Sequence, residues 1–451
     1  MANMNIRVRF PPSPTGYCHV GTARMAILNF LFAKKNGGTI VFRSEDTDKE
    51  RSKPEFEEDI IAELQWLGLS WDEFYRTTDL VERHKLALSK LISGDKAYVS
   101  EEESKKEPGK MVQVVRLRNP GKSITFTDII RGDITFDTTE LADFAIARAI
   151  DDPLYHLAVV VDDAEMNITH VIRGEDHISN TPRQILIQEA LGYSRPQYAH
   201  YPLHLGADKS KLSKRTGDVA VKSYREKGFL SSALLNYIAL LGWTPPSERE
   251  VMSLEEMITE FDLKDLHKSG AVFDTEKLRW YNREYLQKLS LEDFSAYALT
   301  VLESALKERN IPYDTGIGER LVPVIRERIS VAEDIREMVA EGDFDYYFAD
   351  PSPEATTLPQ KGTEKGEASQ HLGKVHEVWS AASSEIFQDA ERLKDIVWEY
   401  ANTNGRGNVL WPLRYSLSGK AKSPDPFLIA SIIGRDTALR RIENARNLLA
   451  L

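Results

Sequence analysis

Hydrophobic and polar positions alternate along Ile6–Arg7–Val8–Arg9–Phe10, the period-two pattern of a β-strand. Ala23 to Lys35 is then apolar at helical spacing and is ended by Gly37-Gly38, and Thr39 to Arg43 returns to a β-branched strand. After Pro54 a second helix places Ile60, Ile61, Leu64 and Leu67 on one face. Strand and helix in alternation predict a parallel sheet with helices packed on it.

From Tyr98 to Val112 the chain turns polar, with Ser-Glu-Glu-Glu-Ser-Lys-Lys-Glu-Pro-Gly-Lys at its centre, and reads as an exposed loop. Ser123 to Asp137 alternates with β-branched residues, as the hairpin strands of an inserted subdomain do. Tyr155 to Asp163 is a continuous apolar run closed by two carboxylates, and it reads as a buried strand of the parallel sheet. Carboxylates at a strand end most often cap a loop or helix rather than bind metal, which is the expectation for Asp162 and Asp163. Ile168 to Ile172 predicts another strand, and Thr181-Pro182 opens a helix to about Leu191. Beyond Trp243 the pattern is helical, with a capping box at Ser253-Leu-Glu-Glu256 and helical spacing in Glu276–Tyr285, Arg320–Ala340 and the last part of the chain. Residues 351–370, rich in Pro, Thr, Gly, Glu and Lys, predict a loop, and no internal repeat is visible.

Composition narrows the class. A chain of 451 residues suggests roughly two to four domains. Its 41% apolar and 28% charged residues are ordinary for a globular protein. No apolar run approaches a membrane span and the N-terminus has no signal-peptide profile, so no membrane partner and a cytoplasmic location are expected. One cysteine excludes an intramolecular disulfide and a Cys-cluster zinc site. A net charge of −12 does not advertise nucleic-acid binding, although local clusters of Lys and Arg suffice for phosphate contacts.

The candidate chemistry follows the first strand. Pro-Pro-Ser-Pro-Thr-Gly-Tyr-Cys-His-Val-Gly-Thr, residues 11 to 22, is a loop in which Pro11, Pro12 and Pro14 fix φ while Gly16 and Gly21 admit close backbone approach. His19 then opens a helix whose amides and dipole favour anions, a place for a nucleotide triphosphate. Much later comes Lys211-Leu-Ser-Lys214-Arg215, a loop whose lysines can meet the β,γ-phosphates as charge builds there on expulsion of pyrophosphate.

Together the two motifs resemble the signature motifs of class I aminoacyl-tRNA synthetases, in the wording of the glutamyl members. The resemblance covers residues 6 to about 285 and includes Arg43-Ser-Glu45-Asp46-Thr47-Asp48, Tyr155-His-Leu-Ala-Val-Val-Val-Asp-Asp163 and Val171-Ile-Arg173-Gly-Glu-Asp176-His. It continues in Asn236-Tyr-Ile-Ala-Leu-Leu-Gly-Trp243 and Val272-Phe-Asp-Thr-Glu-Lys-Leu278, and more weakly in Pro412-Leu-Arg-Tyr-Ser-Leu-Ser-Gly419. It implies an α/β protein: a Rossmann-like parallel-sheet catalytic domain with a small inserted α+β subdomain, followed by an all-α C-terminal anticodon-binding region. The corresponding boundaries are 1–80 with 145–245 for the catalytic domain, 81–144 for a shortened acceptor-end-binding insertion, 246–320 for a helical stem-contact domain and 321–451 for the anticodon-binding domain.

The resemblance also implies ATP-dependent ligation of L-glutamate to glutamate tRNA through glutamyl-adenylate, with a first step that needs bound tRNA. Arg9 and Arg173 would hold the substrate's carboxylates, Arg173 the γ-carboxylate. Ser13 and Glu45, with Pro11 alongside, would engage its head group, and Tyr155 would hydrogen-bond from the pocket wall. Planar arginine forks suit a dianionic amino acid, and one acid suits its ammonium group. His19, Gly21, Thr22, Asp176 and the backbone of Leu203, His204 and Leu205 would contact ATP, with Lys211 and Lys214 on its phosphates; His19, Lys211 and Lys214 would be catalytic. Magnesium would arrive with ATP rather than in a protein cage, no protein-bound zinc is expected, and the family favours a monomer.

Departures qualify the match. Pro11 stands where the family usually has alanine, and a Pro-Pro pair there is shared with glutaminyl-tRNA synthetase, but Ser13 and Thr15 follow the glutamyl wording. Cys18 reads as a small apolar filler whose alkylation would obstruct the site. The polar segment after Tyr98 is much shorter than in most members. Other acceptors (glutamine tRNA, or a modified tRNA base) and a non-catalytic tRNA-binding relic are the competing functions.

Overall fold

The computed structural model describes residues 5–103, 108–206 and 220–450. The chain forms two compact units, Met1–Tyr285 and Leu286–Leu451.

In the first unit, strand β1 (Arg7–Phe10) buries Val8, Arg9 and Phe10 and runs into helix α1 (Val20–Lys35), which is buried almost all round and packs on the sheet. Strand β2 (Thr39–Ser44) lies parallel to β1, with Arg7 opposite Thr39 and Phe10 opposite Phe42. Helix α2 (Pro54–Trp66) begins with proline at its first turn, where a missing N–H costs nothing, and buries Ile60 and Leu64. Strand β3 (Glu73–Arg76) completes this side, parallel to β2, and helix α3 (Val81–Ser93) follows.

The chain then leaves the parallel sheet. Strands β4 (Ala97–Glu103) and β5 (Met111–Leu117) form an antiparallel pair in register from Ala97 opposite Leu117 to Glu103 opposite Met111. The polar stretch expected to be a loop is therefore mostly strand on its described sides. Its glutamates lie on a ribbon that faces water, and Arg116 Nη2 on β5 holds Glu102 Oε2 on β4 at 2.8 Å. Polarity there reports exposure, not absence of structure. Strands β6 (Ser123–Asp128) and β7 (Gly132–Asp137) form the expected hairpin, and β8 (Phe144–Ala149) and β9 (Asp152–Pro153) extend the β4–β5 sheet.

Helix α4 (Tyr155–Glu165) corrects the sequence reading. The run from Tyr155 to Asp163 is a helix and not a strand, with Leu157 to Asp163 all buried. An unbroken apolar run has no period to separate the two, and three consecutive valines favour strand, but burial on every side overrides that preference. Strand β10 (His170–Gly174) follows and joins β1 through Thr169 N–H to Arg7 O at 3.0 Å. Helix α5 (Thr181–Leu191) leads to β11 (Gln197–Tyr201), parallel to β10. β11 is also bonded in parallel to β6, with Tyr198 opposite Asp128, so the inserted hairpin is sewn into the sheet at one register pair. Short strands β12 (His204–Leu205) and β13 (Ala271–Val272) pair in parallel. The Ser253 capping box is present, with Ser253 and Glu256 bonding each other's backbone amides.

The second unit is helical in its described residues, from Leu291–Glu308 to Arg435–Leu449. The Arg320–Ala340 stretch is two helices, Thr315–Arg328 and Ala332–Ala340, and the loop expected to reach residue 370 ends where helix Lys365–Ala381 begins. Trp379 is fully buried, with Phe387 and Phe427 edge-on to it. Tyr346 and Tyr347 are also core residues, whereas Trp411 is partly exposed, stacked on Tyr415 and under Arg414, with its indole N–H on Thr357 O at 3.0 Å. No described helix is long and apolar enough to cross a membrane.

Candidate active site

The loop after β1 is held against the end of β2. Pro12 O accepts the amide of Glu45 at 2.9 Å, and Pro14 O accepts that of Lys53 at 3.0 Å. His19 caps α1: its Nδ1 accepts the amides of Gly21 at 3.1 Å and Thr22 at 3.2 Å. A Cβ at Gly21 would stand 3.0 Å from the His19 ring, so glycine is needed first to leave that cap in place. His19 also bridges Ala220, and Val221 N–H reaches Cys18 O at 2.9 Å. Cys18 itself is fully buried, and burial pushes its thiol far above the ordinary range, so it is a core residue shielded from alkylation.

Below this helix end lies a cavity of about 550 Å³. Arg9, Pro11, Ser13 and Glu45 line it from the first two strands and their loops; Tyr155, Arg173 and Asp176 line it from α4 and β10 onward. His19, Gly21, Thr22, Leu203 and His204 complete the sequence-predicted set on its wall. Leu205 lies off the wall, and its carbonyl accepts the amide of Phe273 at 2.9 Å. Lys211 and Lys214 lie outside the described residues.

Charge in the cavity is unevenly satisfied. Arg9, 1% exposed, gives its Nε to Asp163 at 3.2 Å and keeps Nη1 buried with no partner among the described residues. Arg43, fully buried, gives Nη1 to Asp163 at 2.7 Å and Nη2 to Glu45 at 3.1 Å. Burial disfavours the Asp163 charge, but Arg9 and Arg43 outweigh it and hold the carboxyl below its ordinary range. In Glu45 burial prevails over the same arginines and raises the carboxyl. Asp162, next to Asp163 on α4, meets His84 Nε2 through Oδ1 at 2.6 Å and stands with Oδ2 3.9 Å from Arg43 Nε.

Among the described residues Arg173, 5% exposed, hydrogen-bonds only to neutral partners, His200 and Thr181, and burial lowers its pKa. An isolated buried guanidinium is costly unless an anion joins it. Tyr155 Oη stands 3.2 Å from Nδ1 of His177, whose pKa burial and Arg173 depress to about 4. At the far wall Leu203 N–H is already taken by Glu175 Oε1 at 3.0 Å, while both ring nitrogens of buried His204 have no partner among the described residues.

Sequence reasoning missed Arg43, Asp163 and His200. Arg43 sat in the open, in the Arg43–Asp48 motif. Asp163 needed α4 to be a helix before it could face the sheet. His200 carried no signal beyond a polar residue inside an apolar strand. Among the described residues no group of three or more His, Cys, Asp or Glu is placed to hold a metal.

Comparison with known proteins assigns the family. The profile for tRNA synthetases class I (E and Q), catalytic domain, matches residues 5–107 and 99–280, and that for an anticodon binding domain matches residues 264–446. A glutamate–tRNA ligase of Sulfurihydrogenibium sp. (strain YO3AOP1) is 37% identical over 495 residues, covering 97% of this chain and 98% of that protein. The chain belongs to the glutamate–tRNA ligase family. A glutamate–tRNA ligase of Aquifex aeolicus (strain VF5) is 44% identical over 369 residues, covering 74% of this chain and 77% of its own. A crystal structure of the glutamate–tRNA ligase of Elizabethkingia meningosepticum CCUG26117, in complex with its amino acid, superposes with a TM-score of 0.86 at 31% identity, covering 99% of this chain and 100% of that one. The family fold of a parallel-sheet catalytic domain with an antiparallel insert and a helical C-terminal region is thus the fold of this chain. The two catalytic-profile segments meet in the β4–β5 hairpin.

Proposed function

We infer that this chain joins L-glutamate to glutamate tRNA in two steps. The α-carboxylate of glutamate attacks the α-phosphorus of ATP and expels pyrophosphate. The terminal adenosine hydroxyl of the tRNA then attacks the adenylate carbonyl and releases AMP. The observation that carries this reading is the pair of buried arginines on one cavity: among the described residues Arg9 Nη1 has no hydrogen-bond partner and Arg173 has no carboxylate partner.

Arg173 takes the γ-carboxylate, Arg9 the carboxylate of the head group, and Glu45 with Ser13 the ammonium; Pro11 shapes the entrance and Tyr155 bonds from the wall. Glutamine fits the same space but leaves Arg173 without a counter-charge, at roughly 3–5 kcal/mol. Selectivity of about 10²- to 10³-fold then needs no second sieve.

ATP lies along the other end of the cavity. The N-terminus of α1, with His19, Gly21 and Thr22, receives phosphate oxygens, and Asp176 faces the ribose side. The adenine meets the backbone of the Leu203–Leu205 stretch and the unpartnered His204 imidazole. Lys211 and Lys214 bind the β,γ-phosphates with magnesium that enters on ATP.

The test is charging of purified glutamate tRNA with radiolabelled glutamate, with and without ATP. ATP-dependent charging is expected; no charging by a protein that still binds ATP would sink the reading. Glutamine tRNA is the second acceptor to assay.

A further inference from the structure

The groups that hold Arg173 from behind are neutral where they touch it. Arg173 Nε donates to His200 Nε2 at 3.1 Å, and Nη2 donates to Thr181 Oγ1 at 2.8 Å. On its other side, Nδ1 of the fully buried His200 lies 2.6 Å from Oδ2 of Asp128. A carboxylate oxygen only accepts, so Nδ1 carries the ring proton; a guanidinium only donates, so Nε2 is bare. Both contacts demand the same neutral tautomer.

Asp128 is fixed in turn by the hairpin that carries it. Its Oδ2 also accepts the backbone amide of His200 at 3.0 Å, and Oδ1 accepts those of Ile130 and Arg131, each at 3.0 Å. These amides belong to the β6–β7 turn and to β11, and Asp128 is itself the register partner of Tyr198 where the hairpin joins β11. Arg131 adds a bond from Nε to His200 O at 3.0 Å. The aspartate charge is spent on four N–H donors and reaches Arg173 only through an imidazole.

We propose that Asp128, His200 and Thr181 are positioning residues for glutamate selection, aiming the Arg173 guanidinium while leaving its charge for the substrate's side-chain carboxylate to neutralise. A carboxylate in the place of His200 would satisfy Arg173 in the empty site and let an amide side chain enter cheaply. A neutral acceptor gives direction without that compensation. The proposal rests on the reading of Arg173 as the γ-carboxylate partner.

The experiment measures KM for glutamate, KM for ATP and kcat by pyrophosphate exchange with tRNA present. Partners that orient metal ligands are typically worth 10–100-fold, and by analogy His200→Leu should raise KM for glutamate roughly 10- to 100-fold. KM for ATP should stay within about twofold, because the ATP contacts are untouched. His200→Gln, whose Oε1 falls near the place of Nε2, should recover most of the loss. Thr181→Val should raise KM for glutamate and Thr181→Ser restore it, and this pair decides the matter if His200→Leu does not fold. Arg173→Ala calibrates the series. No rise in KM for glutamate in Arg173→Ala overturns the reading of Arg173 itself. A rise there, with folded His200→Leu or Thr181→Val unchanged, overturns only the positioning role, as does an equal rise in both KM values.

Discussion

Asp163→Asn tests the frame of the glutamate end most directly. The Asp163 carboxylate joins Arg43 at 2.7 Å and Arg9 at 3.2 Å, all three buried. At an effective dielectric of about 20, each contact near 3 Å is worth roughly 5 kcal/mol of Coulomb attraction, most of which offsets desolvation. Removing one partner of such a buried set typically costs 3–5 kcal/mol; both bonds fall on Oδ1, which an amide oxygen can still accept, so the loss is of charge and about 3 kcal/mol is expected. For a unit of 285 residues that is a fall in Tm of roughly 5 °C. Arg9 also loses its counter-charge, and KM for glutamate should rise about tenfold, or about 1.4 kcal/mol. Because the Asp163 carboxyl is depressed in the folded state, its contribution is present above the unfolded carboxyl range and is lost as pH falls through the folded value; the variant should lack that segment of acid dependence. The assays are thermal unfolding across pH and exchange kinetics. A variant within about 2 °C of wild type, with KM within about twofold, would refute the account, since neither figure leaves room for Arg9 losing its carboxylate and Arg43 losing one of those around it.

Three further outcomes are expected. Lys214→Ala should leave tRNA binding nearly intact while sharply lowering adenylation; unchanged pyrophosphate exchange would remove Lys214 from the mechanism. Gly21→Ala should push the His19 ring off its cap, costing about 1 kcal/mol of stability and raising KM for ATP, and an unchanged KM would show that the cap tolerates the methyl group. Burial, with Arg183 and Arg173, depresses His156 to about 4, so the unfolded chain binds the extra proton between about pH 6.5 and 4. Stability should therefore fall over that window by up to about 3 kcal/mol from this group, and His156→Asn should flatten the slope.

The proposed nucleotide end was legible in the sequence because its geometry is local. A strand, a proline-fixed loop and a helix start fall within residues 6–35, and Gly21 sits two residues from the imidazole it must clear. The glutamate end is assembled from distant segments, and only the residues inside motifs could be named. Asp163 was visible but assigned to a strand end, because Leu157–Val161 has no period that would reveal a helix. The β4–β5 ribbon was misread for the opposite reason: a strand bathed in water on both faces has the composition of a loop. His200 and Asp128 are adjacent only through the register of β11 on β6, a pairing no local pattern encodes.

The cap on α1 has a consequence for what kind of group His19 can be. Its Nδ1 lone pair is committed to two helix amides, so a neutral ring holds its proton on Nε2. That Nε2–H stands 3.3 Å from Thr22 Oγ1. Folding the helix thus settles the tautomer, and in the proposed nucleotide complex His19 would meet phosphate oxygen as an N–H donor and not as a base.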